Sequence, residues 1–208
     1  MAYSSFRKIT MVTERFGLQL DSAVLFPSVK KIKPSRQLLT QLEIGDALGF
    51  SSEKERSERL VAPVLAEITL KNKVVLYSGR DLEADEESGL VGECDYLWSL
   101  NSRIIDEVIS PIFSVVEAKK QDIEYGTAQC AAQLYGARVF NEKHGKPLNK
   151  YYGCSTSGVE WRFLKFENNV ITLDMHRYTL GELSSLLGIL QSIIDECKSE
   201  MDTPSVFS

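Results

Sequence analysis

The stretch SPIFSVVEAKKQDIEYGTAQCAAQL, residues 110–134, carries the reading of the fold. Its opening run, as far as Val116, is apolar on both faces of an extended strand, the pattern of a central strand covered on each side. The run stops in Glu117, Ala118 and Lys119. Residues two apart in a strand project from one face, so Glu117 and Lys119 point the same way, with Val115 and Phe113 behind them. The face changes there from core to charged pocket. From Asp122 a long helix follows, with Ala and Gly where close packing is needed and with Gln129 and Gln133 four apart on the side of Tyr125.

The strand before it is read in LVGECDYLWSL, residues 90–100, which alternates along its length. Asp95 shares a face there with Glu93 and Leu97, and pairing of the two strands sets Asp95 beside Glu117. Two carboxylates within about 5 Å of each other in a partly dry site repel, and a divalent cation resolves that conflict. Mg²⁺ suits the pair, because it takes oxygen ligands and keeps several waters for chemistry. Lys119 then has a task apart from solubility: orienting a nucleophilic water, or stabilising charge on a phosphorane-like transition state. Glu-x-Lys alone carries little, since Glu196-Cys197-Lys198 also matches and reads as a solvated pair late in the last helix. Position separates the two, because only Glu117 ends a buried strand with an Asp on the strand before and glutamines on the helix after.

Around this centre the chain alternates. Residues 34–50 place Leu38, Leu39, Leu42 and Leu48 on a helical stripe after Pro34-Ser35, and residues 1–50 are read as a helical accessory segment packed on the core. Ser51 or Ser52 caps a further helix whose first turn is acidic. Pro63 costs about 3 kcal/mol inside a regular helix, so a kink or break falls near residues 59–62. KVVLYSG, residues 73–79, is a β-branched and aromatic strand. The long helix ends near Gly145, ahead of Pro147. Strands follow in NKYYGCSTS, VEWRFLKFE and NVITLDM, the last two joined by an Asn168-Asn169 turn, and an amphipathic helix over residues 180–198 closes the fold. The order predicts an α/β chain with a mixed sheet flanked by helices, a domain over residues 51–198 and a flexible tail over 199–208.

With 208 residues and 43% hydrophobic composition, the chain buries a sizeable core. No run reaches the roughly 18 apolar residues of a membrane span, and the first residues carry charges where a signal peptide has its apolar core, so a cytoplasmic protein with no membrane partner is expected. Cys94, Cys130, Cys154 and Cys197 lie far apart, form no CxxC pair and have only His144 and His176 as nitrogen partners, which makes them reduced, mostly buried thiols rather than a zinc site. Trp98 and Trp161 lie in apolar strands and read as core rather than as platforms for bases. His144 reads as an exposed helix end, and Gln133 as a surface amide.

A net charge of -5 argues against a general polyanion binder. The distribution argues the other way, with eight Lys or Arg against four acids over residues 119–165, and six acids with no base over residues 81–93. A side carrying Lys120, Arg138, Lys143, Lys146 and Lys150 is therefore expected to meet a polyanion, with the acidic loop turned away or acting as a gate.

Asp95, then Glu117-x-Lys119 after an apolar strand, then Gln129 on the next helix resemble the PD-(D/E)xK nuclease superfamily, the restriction-endonuclease-like fold. EKERSERLVAPVL, GLVGECDYL, FSVVEAKKQDIEYGTAQCAAQLYGARVFNEKHGKPL and YYGCSTSGVEWRFLKFE are also similar to uncharacterised bacterial members, frequent in cyanobacteria. The resemblance spans residues 51–198. It implies a metal-dependent phosphodiesterase core with a mixed four- or five-stranded sheet between helices. Carried over by residue, it implies Asp95 and Glu117 as metal ligands with the backbone carbonyl of Ala118, Lys119 as the catalytic lysine, Gln129 as the helix glutamine, and Glu58 as the acid of the first core helix and a further ligand. Mg²⁺ is the implied cofactor, with Mn²⁺ as a substitute. No proline precedes Asp95, where the chain reads Val91-Gly92-Glu93-Cys94.

Three function classes remain at this level. One is a Mg²⁺-dependent nuclease, with DNA ahead of RNA and a homodimer that would match the pseudo-symmetry of a duplex. Another is a nuclease-fold module that binds nucleic acid or a protein without cutting. A small-molecule enzyme is the third, and neither a Gly-rich phosphate loop nor a Ser-His-acid set supports it. The joint presence of Asp95, Glu117 and Lys119 favours the first.

Overall fold

A computed structural model describes residues 2–101, 106–119 and 122–202. In chain order the elements are α1 (Ile9–Phe16), β1 (Gln19–Ala23), α2 (Arg36–Leu48), α3 (Glu53–Arg56), α4 (Ala62–Asn72), β2 (Val75–Asp81), β3 (Glu93–Ser99), β4 (Ile112–Ala118), α5 (Ile123–Lys143), β5 (Lys150–Thr156), β6 (Glu160–Glu167), β7 (Val170–Asp174), β8 (Tyr178–Thr179) and α6 (Leu183–Asp202). Eight strands form one mixed sheet in the order β1-β7-β6-β5-β4-β3-β2, with β8 alongside β6. β4 and β5 run parallel, as do β1 and β7, and the other pairs are antiparallel. A parallel pair cannot be closed by a tight turn, and α5 supplies the crossover from β4 to β5.

The α/β expectation holds at this level, and β4 is an interior strand of the sheet between β5 and β3, buried at all seven positions. One face of the sheet packs Leu97 and Val115 against Cys130, Ala131 and Leu134 of α5. The other packs Trp98, Phe113 and Val116 against Val64, Leu65 and Ile68 of α4 and Leu187, Leu190 and Ile194 of α6. Simple alternation placed Phe113 behind Glu117, and here the structure differs. Trp98 pairs with Ser114 and Ser99 with Ile112, so Phe113 is the extra residue of a β-bulge. A one-residue insertion reverses the face of what lies beyond it. Phe113 accordingly stacks on Trp98 in the α4/α6 core, with ring centroids 5.9 Å apart and planes at 7°. Both tryptophans are core, as expected, with their indole N–H groups donated to Thr69 Oγ1 at 2.7 Å and to the Gly158 carbonyl at 3.1 Å.

The segment before residue 50 is not helical throughout. Its strand β1 joins the sheet edge beside β7, and the hairpin of β6 and β7 carries the sheet beyond the four or five strands implied by resemblance. β1 was illegible because Gln19 to Ser22 are all exposed and alternate no apolar face. The break expected before Pro63 is a single π turn over Ser57–Val61, in which the Ala62 N–H reaches back to the Ser57 carbonyl. Pro63 then falls in the first turn of α4, where its missing N–H costs little. Asn168 and Asn169 take φ values of 51° and 61°, the left-handed pair that a two-residue hairpin turn requires.

The crossover helix lies tightly on β5. A Cβ added at Gly153 would stand 2.6 Å from Leu164 Cδ1, 2.7 Å from Cys130 Sγ and 2.9 Å from Leu134 Cδ1. Gly153→Ala is expected to cost about 1–3 kcal/mol through overpacking, lowering the melting temperature by several degrees for a chain of this size. A melt that matches the parent would show that α5 does not press on β5 at this depth.

Candidate active site

The end of β4 is held differently on its two sides. Toward β5 the ladder continues past the strand, with the Lys119 N–H donating to the Thr156 carbonyl at 2.7 Å. Toward β3 the register ends at the pair Tyr96 and Val116. The Ala118 N–H beyond it donates to Asp95 Oδ2 at 2.7 Å. A buried backbone donor must find an acceptor, and here a side-chain carboxylate fills the gap where β3 leaves β4. This fixes Asp95 at the split.

Glu117 projects toward α5 and is 2% exposed. Lys119 Nζ lies 2.6 Å from its Oε1, and Gln133 Nε2 donates to its Oε2 at 2.8 Å. Gln133 is therefore not the surface amide that the sequence suggested. It is completely buried, and its Oε1 has no partner among the described residues. Gln129, one turn earlier, is buried too, but no hydrogen bond joins it to Asp95, Glu117 or Lys119 among the described residues. The helix runs back along the strand from its end, so the partner of Glu117 lies further along α5 than the Glu117-to-Gln129 spacing suggested. Lys119 Nζ is also 3.6 Å from Glu53 Oε1 and 5.8 Å from the centroid of the Tyr125 ring. Gly126 makes room for its stem, since a Cβ there would stand 2.8 Å from Lys119 Cγ.

Burial and like charge act together on the acids. Burial, and then the Asp95 charge, push the Glu117 carboxyl up to about 7, against the pull of Lys119 and Gln133. Asp95 is raised by burial, opposed by its bond from the Ala118 N–H and by Lys119. Burial pulls the Lys119 ammonium down, but Glu117, Asp95 and Glu53 outweigh it and its pKa is raised. Outward from Asp95 a cleft of about 480 Å³ opens, in which Glu53, Glu58, Glu93 and Asp95 outnumber Lys54 and Ala118 contributes its edge. Glu58 stands at its rim, its side chain 62% exposed and 3.8 Å from Lys54. Glu53 is the acid of that helix that reaches Lys119, and its only sequence signal was its place in the acidic first turn after Ser52. Among the described residues no three His, Cys, Asp or Glu side chains gather as a metal-binding group.

The basic side expected at the site is elsewhere. Lys120 lies outside the described residues. α5 spans 21 residues, about 30 Å at 1.5 Å per residue, so Lys143 stands at the far end of the sheet from Lys119. It donates to the Ala84 carbonyl at 2.7 Å, inside the acidic loop that was expected to turn away from the basic side or to gate it. Lys146 reaches the Ser110 carbonyl at 3.4 Å, Arg138 pairs with Glu142 at 2.7 Å, and Lys150 is bonded to Glu196. Glu196 also accepts from the Tyr152 hydroxyl at 2.5 Å, and Lys198 donates to the Asn72 carbonyl, so this second Glu-x-Lys is a set of structural ties rather than a solvated pair. The four thiols are free and buried, and His144 is exposed at the helix end with Nδ1 2.7 Å from the Phe140 carbonyl, both as expected. No described helix is long and apolar enough to cross a membrane.

No family model matches the chain, and neither does any curated protein or solved structure.

The raised Glu117 carboxyl has a measurable sign. Between its ordinary 4.5 and about 7 the folded chain keeps a proton that the unfolded chain has released, so this group's stabilising contribution falls as pH rises through that window and is flat above it. In chelator, the parent melting temperature is expected to drop across the window by more than that of Glu117→Gln. A parent that instead gains stability there relative to the variant would show an ionised Glu117 held by Lys119.

Proposed function

We propose that the chain is a Mg²⁺-dependent nuclease of the PD-(D/E)xK superfamily, with a restriction-endonuclease-like core, hydrolysing phosphodiester bonds of nucleic acid and of DNA before RNA. The observation that carries this reading is the buried Glu117–Lys119 pair set beside Asp95 where β3 splits from β4, at the edge of an open cleft.

The donors present fit a hard divalent ion. They are oxygens, including those of two carboxylates, with burial first and then their mutual repulsion raising the Glu117 pKa, and Mg²⁺ in phosphoryl-transfer sites uses one or two carboxylates with retained waters and substrate phosphate. Asp95 and Glu117 would hold it, with the Ala118 carbonyl beside them and Glu58 or Glu53 reaching in through the cleft. When bound, such an ion supplies charge stabilisation and a more acidic water. The remaining work falls to the chain. Gln133 fixes one oxygen of Glu117 and so the direction of the other. Lys119 carries a positive charge on the end of a rigid strand, packed over Gly126 and near Tyr125, where it is preorganised to meet charge developing on a phosphate oxygen.

A fold that binds and does not cut is the second reading. Two observations favour it: Lys119 already neutralises Glu117 at 2.6 Å, and the cleft carboxylates repel phosphate when no cation is there.

Labelled DNA and RNA incubated with Mg²⁺ or with chelator separate the two. Cleavage is expected only with the metal, with Glu117→Ala and Lys119→Ala each lowering kcat by about 100-fold or more. Mg²⁺ is expected to raise the melting temperature of the parent and not of Glu117→Ala. Uncut strands together with a parent melt that Mg²⁺ leaves in place would end the nuclease reading.

A further inference from the structure

Two arginines converge on one carboxylate near the proposed site. Glu117 of β4 pairs in register with Ser155 of β5, and Ser155 with Arg162 of β6. The three form a row across the sheet, at about 5 Å per strand and roughly 10 Å from first to last. Arg162 Nη1 lies 2.6 Å from Glu124 Oε2, Arg177 Nη2 lies 2.7 Å from Glu124 Oε1, and Arg177 Nη1 lies 2.7 Å from Glu160 Oε1. Glu124 is in the first turn of α5, on the same face of the sheet as Glu117, and its side chain is 67% exposed. Arg162 is the opposite case. Its side chain is 16% exposed, and its Nε is buried with no acceptor among the described residues.

The Arg162 guanidinium is bonded to the Glu124 carboxylate through Nη1, a one-pronged contact rather than the two-pronged one its fork can make. A phosphate diester offers a charged pair of oxygens of the kind an arginine fork recognises, and two forks recognise it better than one. The exposed carboxylate gains little from its own pairs, and its place in the first helical turn favours an anion. The geometry points to Arg162 and Arg177 as a clamp for one backbone phosphate of a nucleic acid, with Glu124 as an internal placeholder that the phosphate displaces. This rests on the nuclease reading of the neighbouring site. At about 3.4 Å of duplex rise per nucleotide, the clamp holds a phosphate within roughly three nucleotides of the scissile one. Arg138, Lys143, Lys146 and Lys150, at the far end of α5, have no part in it.

The test is binding of fluorescein-labelled single-stranded and duplex DNA across a salt series, with Ca²⁺ in place of Mg²⁺, beside a cleavage assay in Mg²⁺. The double variant Arg162→Gln with Arg177→Gln is expected to bind about tenfold more weakly, with the slope of log affinity against log salt reduced by about one. Glu124→Gln, a conservative change at an exposed position, is expected to bind more tightly than the parent, and this opposite sign survives even if the arginine variant folds poorly. Lys146→Glu with Lys150→Glu is expected to leave affinity and slope at parent values. An unchanged slope in the arginine variant, or weaker binding by Glu124→Gln, overturns the clamp while a parent that still cuts DNA keeps the nuclease reading. A parent that neither binds nor cuts either DNA overturns both.

Discussion

A carboxylate that is 2% exposed at the end of a strand covered on both faces is the constraint to which the neighbourhood of Glu117 answers. Removing such a group from water is costly unless it is paired and hydrogen-bonded. Lys119 lies on one oxygen and Gln133 donates to the other, and neither partner is free to sit elsewhere. The lysine needs a helix start without a side chain at Gly126. The glutamine needs α5 to lie flat on β4 and β5, which the small residues Ala128, Ala131 and Ala132 permit. Burial still exceeds this compensation, because Asp95 adds a second negative charge, and the Glu117 pKa stays high. That residual cost is what the proposed Mg²⁺ would relieve.

The second constraint is topological. β4 and β5 are parallel, so their connection must travel the length of the sheet, and α5 begins near the proposed chemistry and ends at the opposite end. That single crossover decides which charges are neighbours. It brings Gln133 and Glu124 to the site end and carries Lys143 away to the acidic loop, where it bonds Ala84. The excess of basic residues over 119–165 was real as composition, yet it is divided between two ends of the molecule and largely engaged in internal pairs. Among the described residues of that excess, Lys119 and Arg162 stay at the site end, where Arg177 joins Arg162 on Glu124.

The split between β3 and β4 adds the last element. Had the ladder continued, the Ala118 N–H would meet a backbone carbonyl and Asp95 would be one more acid on a strand. Because pairing stops at Tyr96 and Val116, the carboxylate takes the backbone donor, and one edge of the acidic cleft is anchored in the sheet. The same strand pair is irregular at its other end, where the bulge at Phe113 exchanges faces.

Read alone, the sequence determined what local chemistry determines. The apolar run to Val116, the turn asparagines, the proline after a weakened helix and the Ala/Gly spacing of α5 each act within a few residues. A buried strand, the hairpin turn, a break before Pro63 and a long helix were legible from them, whereas the π turn and the crossover were not. The nearness of Glu117 and Lys119 was legible too, because two charges two residues apart at the end of a buried strand are a local anomaly. What lies outside that range came only from the tertiary structure. Gln133 rather than Gln129 meets Glu117, since the choice depends on how α5 docks. Phe113 changed faces, since a bulge is set by the partner strand. β1 joined the sheet without an apolar pattern, since an edge strand is held by backbone bonds that any side chain permits. The charges at the site were decided by the crossover, because Coulomb interactions depend on distance in space, and a 21-residue helix separates in space what the sequence writes side by side.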